Sequence, residues 1–289
     1  MDMDLYRKIV DELESWEGPK LKLFRLQGCG EPFMHPMFIE MIKIAKKADF
    51  SERVDFFTNG SIMSDEICNS LIESCVDIIR LSIYSMNEEK LRRVTQTDCK
   101  PITVYNNIKK LRELRDKHNT HKPFLLVKMF DSTEEENELF FKTYEGIADK
   151  LELETVNNMT NQSGEDFIKA YYNDEKVAER MRREFKCKLN NHAVCSKPFY
   201  MFFINSCGGV SPCCDDWQKI ALLGDTNRNT LREIWSSRAL FNFRKLHLER
   251  KRSEIDMCSK CSWYKLFPQE DNIDGMIPEQ FVPEGGYLL

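Results

Sequence analysis

Apolar residues along the first half of the chain alternate between a helical and an extended period. Leu5, Ile9, Val10 and Leu13 share one helical face and predict a helix over 5–16, which Gly18-Pro19 stops. A short β-type run over 21–27 then ends in a glycine-rich turn. Next come a helix over 37–48, a strand over 54–57 with a turn at Thr58-Asn59-Gly60, and a helix that Ser64 caps, running to Ser74. A strand over 77–85 carries Ile78, Ile79, Leu81 and Ile83. A helix near 101–117, a strand over 124–130, a helix to 148 opened by the capping box Thr133-x-x-Glu136, and a strand over 151–156 complete the series. Five strands separated by helices imply βαβ crossovers and a parallel sheet.

In such sheets ligands sit at the carboxyl ends of the strands, so the residues just past them are the candidate rim: Gly28 to Pro32, Thr58 to Ser61, Ser82 to Ser85, and Lys128. From 159 the pattern changes to a polar connection with one amphipathic helix over 165–185. Aromatic and β-branched runs over 195–225, around Asn205-Ser206-Cys207-Gly208-Gly209, predict a hairpin whose core includes Phe199 to Ile204. Thr230-Leu231-Arg232-Glu233 is a second capping box, opening a helix with Leu231, Ile234, Trp235 and Leu246 on its apolar side. The organisation expected is a first domain over 1–158, a connection over 159–194, a small domain over 195–264 and a tail over 265–289.

Charge narrows the function classes. With 42 Lys+Arg against 47 Asp+Glu, both signs interspersed, the formal net charge is -5, which points to neither a nucleic-acid nor a membrane-surface partner. No apolar run approaches the roughly 18 residues that a bilayer span needs, and Met1-Asp2-Met3-Asp4 is acidic where a signal peptide is basic. A soluble, cytoplasmic protein is expected.

Cysteine changes the picture most. There are 11, an odd number, and seven of them fall between Cys187 and Cys261. A reducing compartment argues against a disulfide framework, and the clustering argues for a metal. Cys258-x-x-Cys261 is a chelating pair, because both thiolates can reach one centre from a single turn. Cys195, Cys207, Cys213 and Cys214 are the candidates for the third and fourth ligands. In an extended segment adjacent side chains point to opposite faces, so only one of Cys213 and Cys214 is expected to ligate. Spacing alone leaves zinc and an iron–sulfur cluster open.

The run Cys195-x12-Gly208-x4-Cys213, followed by Cys258-x2-Cys261, resembles the C-terminal auxiliary-cluster domain of radical S-adenosylmethionine (SAM) enzymes of the SPASM/twitch type. Asp215-Asp216, Leu223-Gly224-Asp225 and Leu231-x-x-Ile234-Trp235 are similar to that family as well. No cysteine follows Cys261, so the resemblance is to the one-cluster variety and implies a [4Fe-4S] cluster on Cys195, Cys213, Cys258 and Cys261. Gly28-Cys29-Gly30-Glu31-Pro32-x-x-His35-Pro36 resembles the family's GGEP motif, with Cys29 in place of one glycine. The resemblance implies SAM contacts from Gly28, Gly30, Glu31 and Pro32, from Asn59 in the next turn, from Ser82 and Ser85 near the ribose, and from Lys128 at the carboxylate.

The fold so implied is α/β, a partial (β/α) barrel holding strands two to six, followed by a small α+β domain. The implied activity is removal of a hydrogen atom from a sugar- or cyclitol-like or peptide substrate, with electrons from a flavodoxin or ferredoxin. The family's Cys-x3-Cys-x2-Cys loop has no counterpart, since no three cysteines have that spacing. The chain is therefore read as lacking its first strand and cluster loop, as inactive by itself, and as holding a second [4Fe-4S] cluster only with that segment restored. The alternative is a non-catalytic iron–sulfur or zinc-binding partner protein. His35 and the acidic run Glu134-Glu135-Glu136 are assigned no chemistry.

Overall fold

The computed structural model describes residues 1–28, 30–156 and 167–289. Cys29 and the first two residues of the helix expected from 165 lie outside them. The chain divides into two compact units, Leu13–Val156 and Met1–Glu12 together with Asn157–Leu289.

The first unit is built on five parallel strands, β1 (Phe24–Leu26), β2 (Val54–Thr58), β3 (Ile78–Ile83), β4 (Phe124–Phe130) and β5 (Lys150–Glu154). Each strand pairs with the next in sequence, so the order never reverses. A sequential parallel sheet is the arrangement of a (β/α) barrel and differs from the doubly wound order, whose reversal creates a switch point.

Alternation along the strands gives the sheet two chemically distinct faces. Val54, Phe56, Ile79, Leu81, Leu125, Val127 and Met129 are buried on one face. The helices between the strands, α2 (Phe38–Ala48), α3 (Asp65–Glu73), α5 (Pro101–Lys117) and α6 (Glu134–Tyr144), add buried Ile42, Leu71, Ile108, Leu111 and Phe140. The other face carries Arg25, Asp55, Phe57, Arg80, Ser82 and Lys128, whose register brings them together.

Three elements depart from the pattern read in the sequence. α4 (Glu88–Thr95) was not expected: seven of its eight residues are polar or charged or Val, and buried Leu91 alone anchors it. Asn87 starts it by accepting a hydrogen bond from the Lys90 N–H. α6 ends at Tyr144, short of 148, because Gly146 follows with φ +76. At the N-terminus of α6 Thr133 accepts from the Glu136 N–H, but the Glu136 carboxylate turns elsewhere, so only half of the expected capping box forms.

The second unit contains α7 (Phe167–Tyr172), α8 (Glu175–Lys188) and α9 (Lys197–Tyr200), then a three-stranded antiparallel sheet of β6 (Phe203–Ile204), β7 (Gly209–Ser211) and β8 (Gly224–Asp225). The single helix expected over 165–185 is interrupted at Asn173, whose φ is 52, and Asp174 caps the restart. Phe199, expected in the hairpin, lies in α9, which Pro198 opens. The hairpin turn needs glycine at 208, where φ is +95 and a Cβ would sit 2.2 Å from Asn227 Nδ2.

The capping box at Thr230 forms in full, but its helix is two, α10 (Leu231–Trp235) and α11 (Arg238–Leu248), because Ser237 caps a second start. α12 (Asp256–Ser259) carries the first cysteine of the CxxC pair. Val210, Leu223, Ile234, Leu240, Phe243 and Met257 form this unit's core. The N-terminal residues of α1 (Met3–Glu14) join it: the Lys8 ammonium donates to the Thr226 carbonyl, and the Glu12 carboxylate accepts from the Arg232 N–H at 3.1 Å.

Candidate metal centre and ligand-binding rim

The turn after β1 is organised by one carboxylate. Glu31 Oε1 accepts from the Thr58 hydroxyl at 2.8 Å and from the Phe33 N–H at 3.3 Å, while Oε2 accepts from the Asn59 N–H at 2.8 Å. Glu31 thereby ties the turn after β1 to the end of β2, a structural task that its sequence motif does not reveal. Gly30 has φ +112, and a Cβ there would meet nothing within 4 Å, so glycine serves the backbone angle. Gly28 is exposed and equally open beside its Cα, and Pro32 starts a short 3-10 turn. Asn59 closes its own turn by accepting from the Ser61 N–H at 2.8 Å.

Below that rim lies a charge cluster that the sequence did not announce. Asp55 is fully buried and receives Arg25 Nε and Nη2 at 2.6 and 2.7 Å and Arg80 Nε at 2.8 Å. Both guanidinium groups and the Lys128 ammonium stand around the Phe57 ring, 5.1, 5.7 and 4.5 Å from its centroid. Lys128 also pairs with Glu154 at 2.8 Å. It sits opposite half-buried Ser82 on the neighbouring strand. Of the rim residues named from the sequence, Ser82 and Lys128 therefore share this face.

Ser85 has other partners. It is buried, and its hydroxyl donates to the Glu136 carboxylate, which also accepts from the Met86 N–H at 2.9 Å, the Ser132 hydroxyl and the Lys90 ammonium at 3.0 Å. Burial raises the carboxyl's pKa, but those hydroxyls and the ammonium outweigh it and hold Glu136 at about 2. Glu136, given no role from sequence, joins the loops that follow β3 and β4.

Cys195, Cys213, Cys258 and Cys261 line one cavity, with Lys197, Asp215, His247, Arg252 and Trp263 around them. The two CxxC thiols come from the end of α12 and the residues just after it, Cys195 from the segment before α9, and Cys213 from the turn after β7. Burial pushes the Cys195 thiol up to about 11 and that of Cys258 to about 12, and it raises Cys261 also. Each of these three thiols is further raised by a neighbouring thiolate or carboxylate. Four convergent thiols with no disulfide among them suit a thiophilic centre, whose positive charge would offset that repulsion. Cys207 lies away from the cavity and is exposed beside Lys219.

The expectation that Cys213 and Cys214 face apart fails. They lie in a turn, where strand alternation does not apply, and their sulfurs and an Asp215 carboxylate oxygen lie within 4.8 Å of one another. The adjacent Cys213 thiol and the nearby Lys197 ammonium lower the Cys214 pKa, whereas the Cys214 sulfur and burial raise that of Cys213. Lys197, itself buried, donates to Asp215 at 2.7 Å and approaches Cys214 Sγ at 3.7 Å, with its ammonium 4.8 Å from the Trp263 ring centroid. His247 Nε2 is 3.7 Å from Cys258 Sγ, and burial lowers this imidazole to about 4, so it is neutral at pH 7. The sequence held no signal for Lys197 or His247, which reach the cavity from α9 and α11.

A parallel, sequentially ordered half-barrel and a small cysteine-rich domain define a class. The model of the radical SAM superfamily matches residues 1–141, and that of the SPASM iron–sulfur cluster-binding domain matches residues 195–262. The chain thus carries matches to a radical SAM domain and, C-terminal to it, to a SPASM iron–sulfur cluster-binding domain.

Over 139 residues it is 33% identical to the tungsten-containing aldehyde ferredoxin oxidoreductase cofactor-modifying protein of Pyrococcus furiosus, a match covering 48% of this chain and 38% of that one. It thus spans less than half the length of the curated relatives that it matches. In fold it is similar to BtrN in complex with AdoMet and 2-DOIA, with a TM-score of 0.54 at 15% identity over 90% of this chain and 80% of BtrN. It is also similar to Streptococcus suis SuiB bound to the precursor peptide SuiA, with a TM-score of 0.56 at 14% identity over 83% of this chain and 60% of SuiB. Among the described residues no helix is long and apolar enough to cross a membrane.

Proposed function

We propose that this chain serves radical SAM chemistry that removes a hydrogen atom from a small polar, sugar- or cyclitol-like substrate or from a peptide. The observation that carries the reading is the convergence of Cys195, Cys213, Cys258 and Cys261 on one cavity. Those four thiolates would hold an auxiliary [4Fe-4S] cluster, which supplies electron transfer or substrate anchoring when bound. Lys197 and Arg252 would offset its negative charge, and neutral His247 would stand beside the Cys258 sulfur.

At the other unit's rim, Glu31 keeps an acceptor position on Oε2 beyond its Asn59 hydrogen bond, suited to the SAM ammonium. Lys128, which Glu154 orients, suits the SAM carboxylate, and Ser82 lies next to it. The Phe57 ring and the Arg25–Asp55–Arg80 group close the same face beneath. Gly28, Gly30 and Pro32 would supply backbone contacts, Asn59 a side-chain amide. Ser85 would act through the loop it anchors to Glu136, not through its occupied hydroxyl. A flavodoxin or ferredoxin is the proposed electron donor.

The test is anaerobic reconstitution with iron and sulfide. Iron and acid-labile sulfide at about four each per chain, lost together in Cys258→Ala, support the reading. A colourless protein holding zinc at those thiols overturns it.

A further inference from the structure

A second cavity of ≈ 380 Å³ opens in the C-terminal unit and shares no lining residue with the cysteine cavity. That volume is in the range of small-molecule sites. Its walls are Phe199, Trp235 and Phe281, and its charged residues are Arg244, Arg232 and Glu284. Two guanidinium groups against one carboxylate leave it net positive.

Arg244 is the unusual member. Its residue is 5% exposed, yet its guanidinium makes one hydrogen bond, from Nε to the Pro198 carbonyl at 2.9 Å. Nη2 is buried with no acceptor, and among the described residues Arg244 has no ion pair. Its Cζ lies over aromatic surface, 4.3 Å from the Trp235 ring centroid and 5.9 Å from that of Phe199. Burial without a counter-charge lowers its pKa to about 10. A guanidinium buried with its Nη2 group lacking an acceptor is costly unless an anion completes it, and a guanidinium fork matches the paired oxygens of a carboxylate or phosphate. The phenyl rings of Phe199 and Phe281, 4.7 Å apart edge to face, add a wall for an apolar body.

We infer that this cavity binds a small organic anion, a carboxylate or phosphate ester with a planar apolar body, through Arg244 and Arg232. The site is independent of the cluster and SAM readings, so its test needs neither cofactor.

Phenyl phosphate, benzoate and benzyl alcohol are titrated calorimetrically into the full chain. At least one of the two anions is expected to bind saturably, one per chain, and which one does distinguishes phosphate from carboxylate recognition. Benzyl alcohol is expected to bind about tenfold more weakly or not at all, since it lacks the charge-assisted hydrogen bonds. Arg244→Met should remove anion binding and Arg232→Gln should weaken it severalfold, whereas Glu284→Gln should strengthen it by removing the opposing charge. Arg232 and Glu284 are exposed, so those two variants decide the matter even if Arg244→Met fails to fold. Absence of saturable binding by both anions, or binding unchanged in Arg232→Gln and Glu284→Gln, overturns the proposal.

Discussion

The Asn59 backbone N–H donates to Glu31 Oε2 at 2.8 Å, so the turns after two adjacent strands share one carboxylate. Glu31 holds the rim together with the same atoms proposed to meet SAM. Glu31→Ala should lower stability by about 2 kcal/mol, because three donors lose their charged acceptor. It should also abolish SAM binding. Urea unfolding and calorimetric titration with SAM measure the two effects. Intact stability in Glu31→Ala would show that the carboxylate does not hold the turns.

Asp55 is the sole hydrogen-bonded anion between Arg25 and Arg80 among the described residues. Asp55→Ala leaves two half-buried guanidinium groups facing each other, and breaking a buried pair in this way costs about 3–5 kcal/mol. Replacing Arg25, whose charge Arg80 can partly substitute at Asp55, should cost less. Denaturant midpoints of the two variants, compared at equal m-value, check the ranking.

Glu136 predicts a pH dependence. Its folded-state pKa of about 2 lies below the ordinary 4.5, so the folded state favours the carboxylate. The stability it contributes is complete above 4.5 and is lost as pH falls from there towards about 2. Glu136→Gln should be less stable than the parent at neutral pH, with the difference shrinking across that window. A difference that does not change between neutral and acid conditions would remove the carboxylate from this role.

The two adjacent thiols make separable predictions. Cys213→Ala should lose iron as fully as Cys258→Ala if Cys213 is a ligand. Cys214 lies on the same side of the turn, so some iron retained in Cys213→Ala, and lost only in the double variant, would mark Cys214 as a substitute ligand. Iron and acid-labile sulfide assays on the three proteins distinguish these outcomes.

Local rules carried the sequence a long way. Alternating periods, the caps at Ser64 and Thr230 and the CxxC spacing depend on residues within a few positions of each other, and they gave five parallel strands, their order of appearance and a metal-binding domain. The resemblance carried by Gly30-Glu31-Pro32 and by the cysteine spacing gave the family. What tertiary structure alone decided are contacts between residues far apart in the chain. The Glu136 carboxylate left its capping box because Ser85, Lys90 and Ser132 converge on it, and no helical signal encodes that. Arg25, Asp55 and Arg80 meet only because three strands pair in one register. Cys213 and Cys214 face the same way because a turn replaced the extended backbone that alternation assumes. Arg244 lies on a helix among residues that look like ordinary core, and only packing shows a buried guanidinium short of partners. Each is a through-space relation set by the fold, so the linear pattern held its residues but not their meeting.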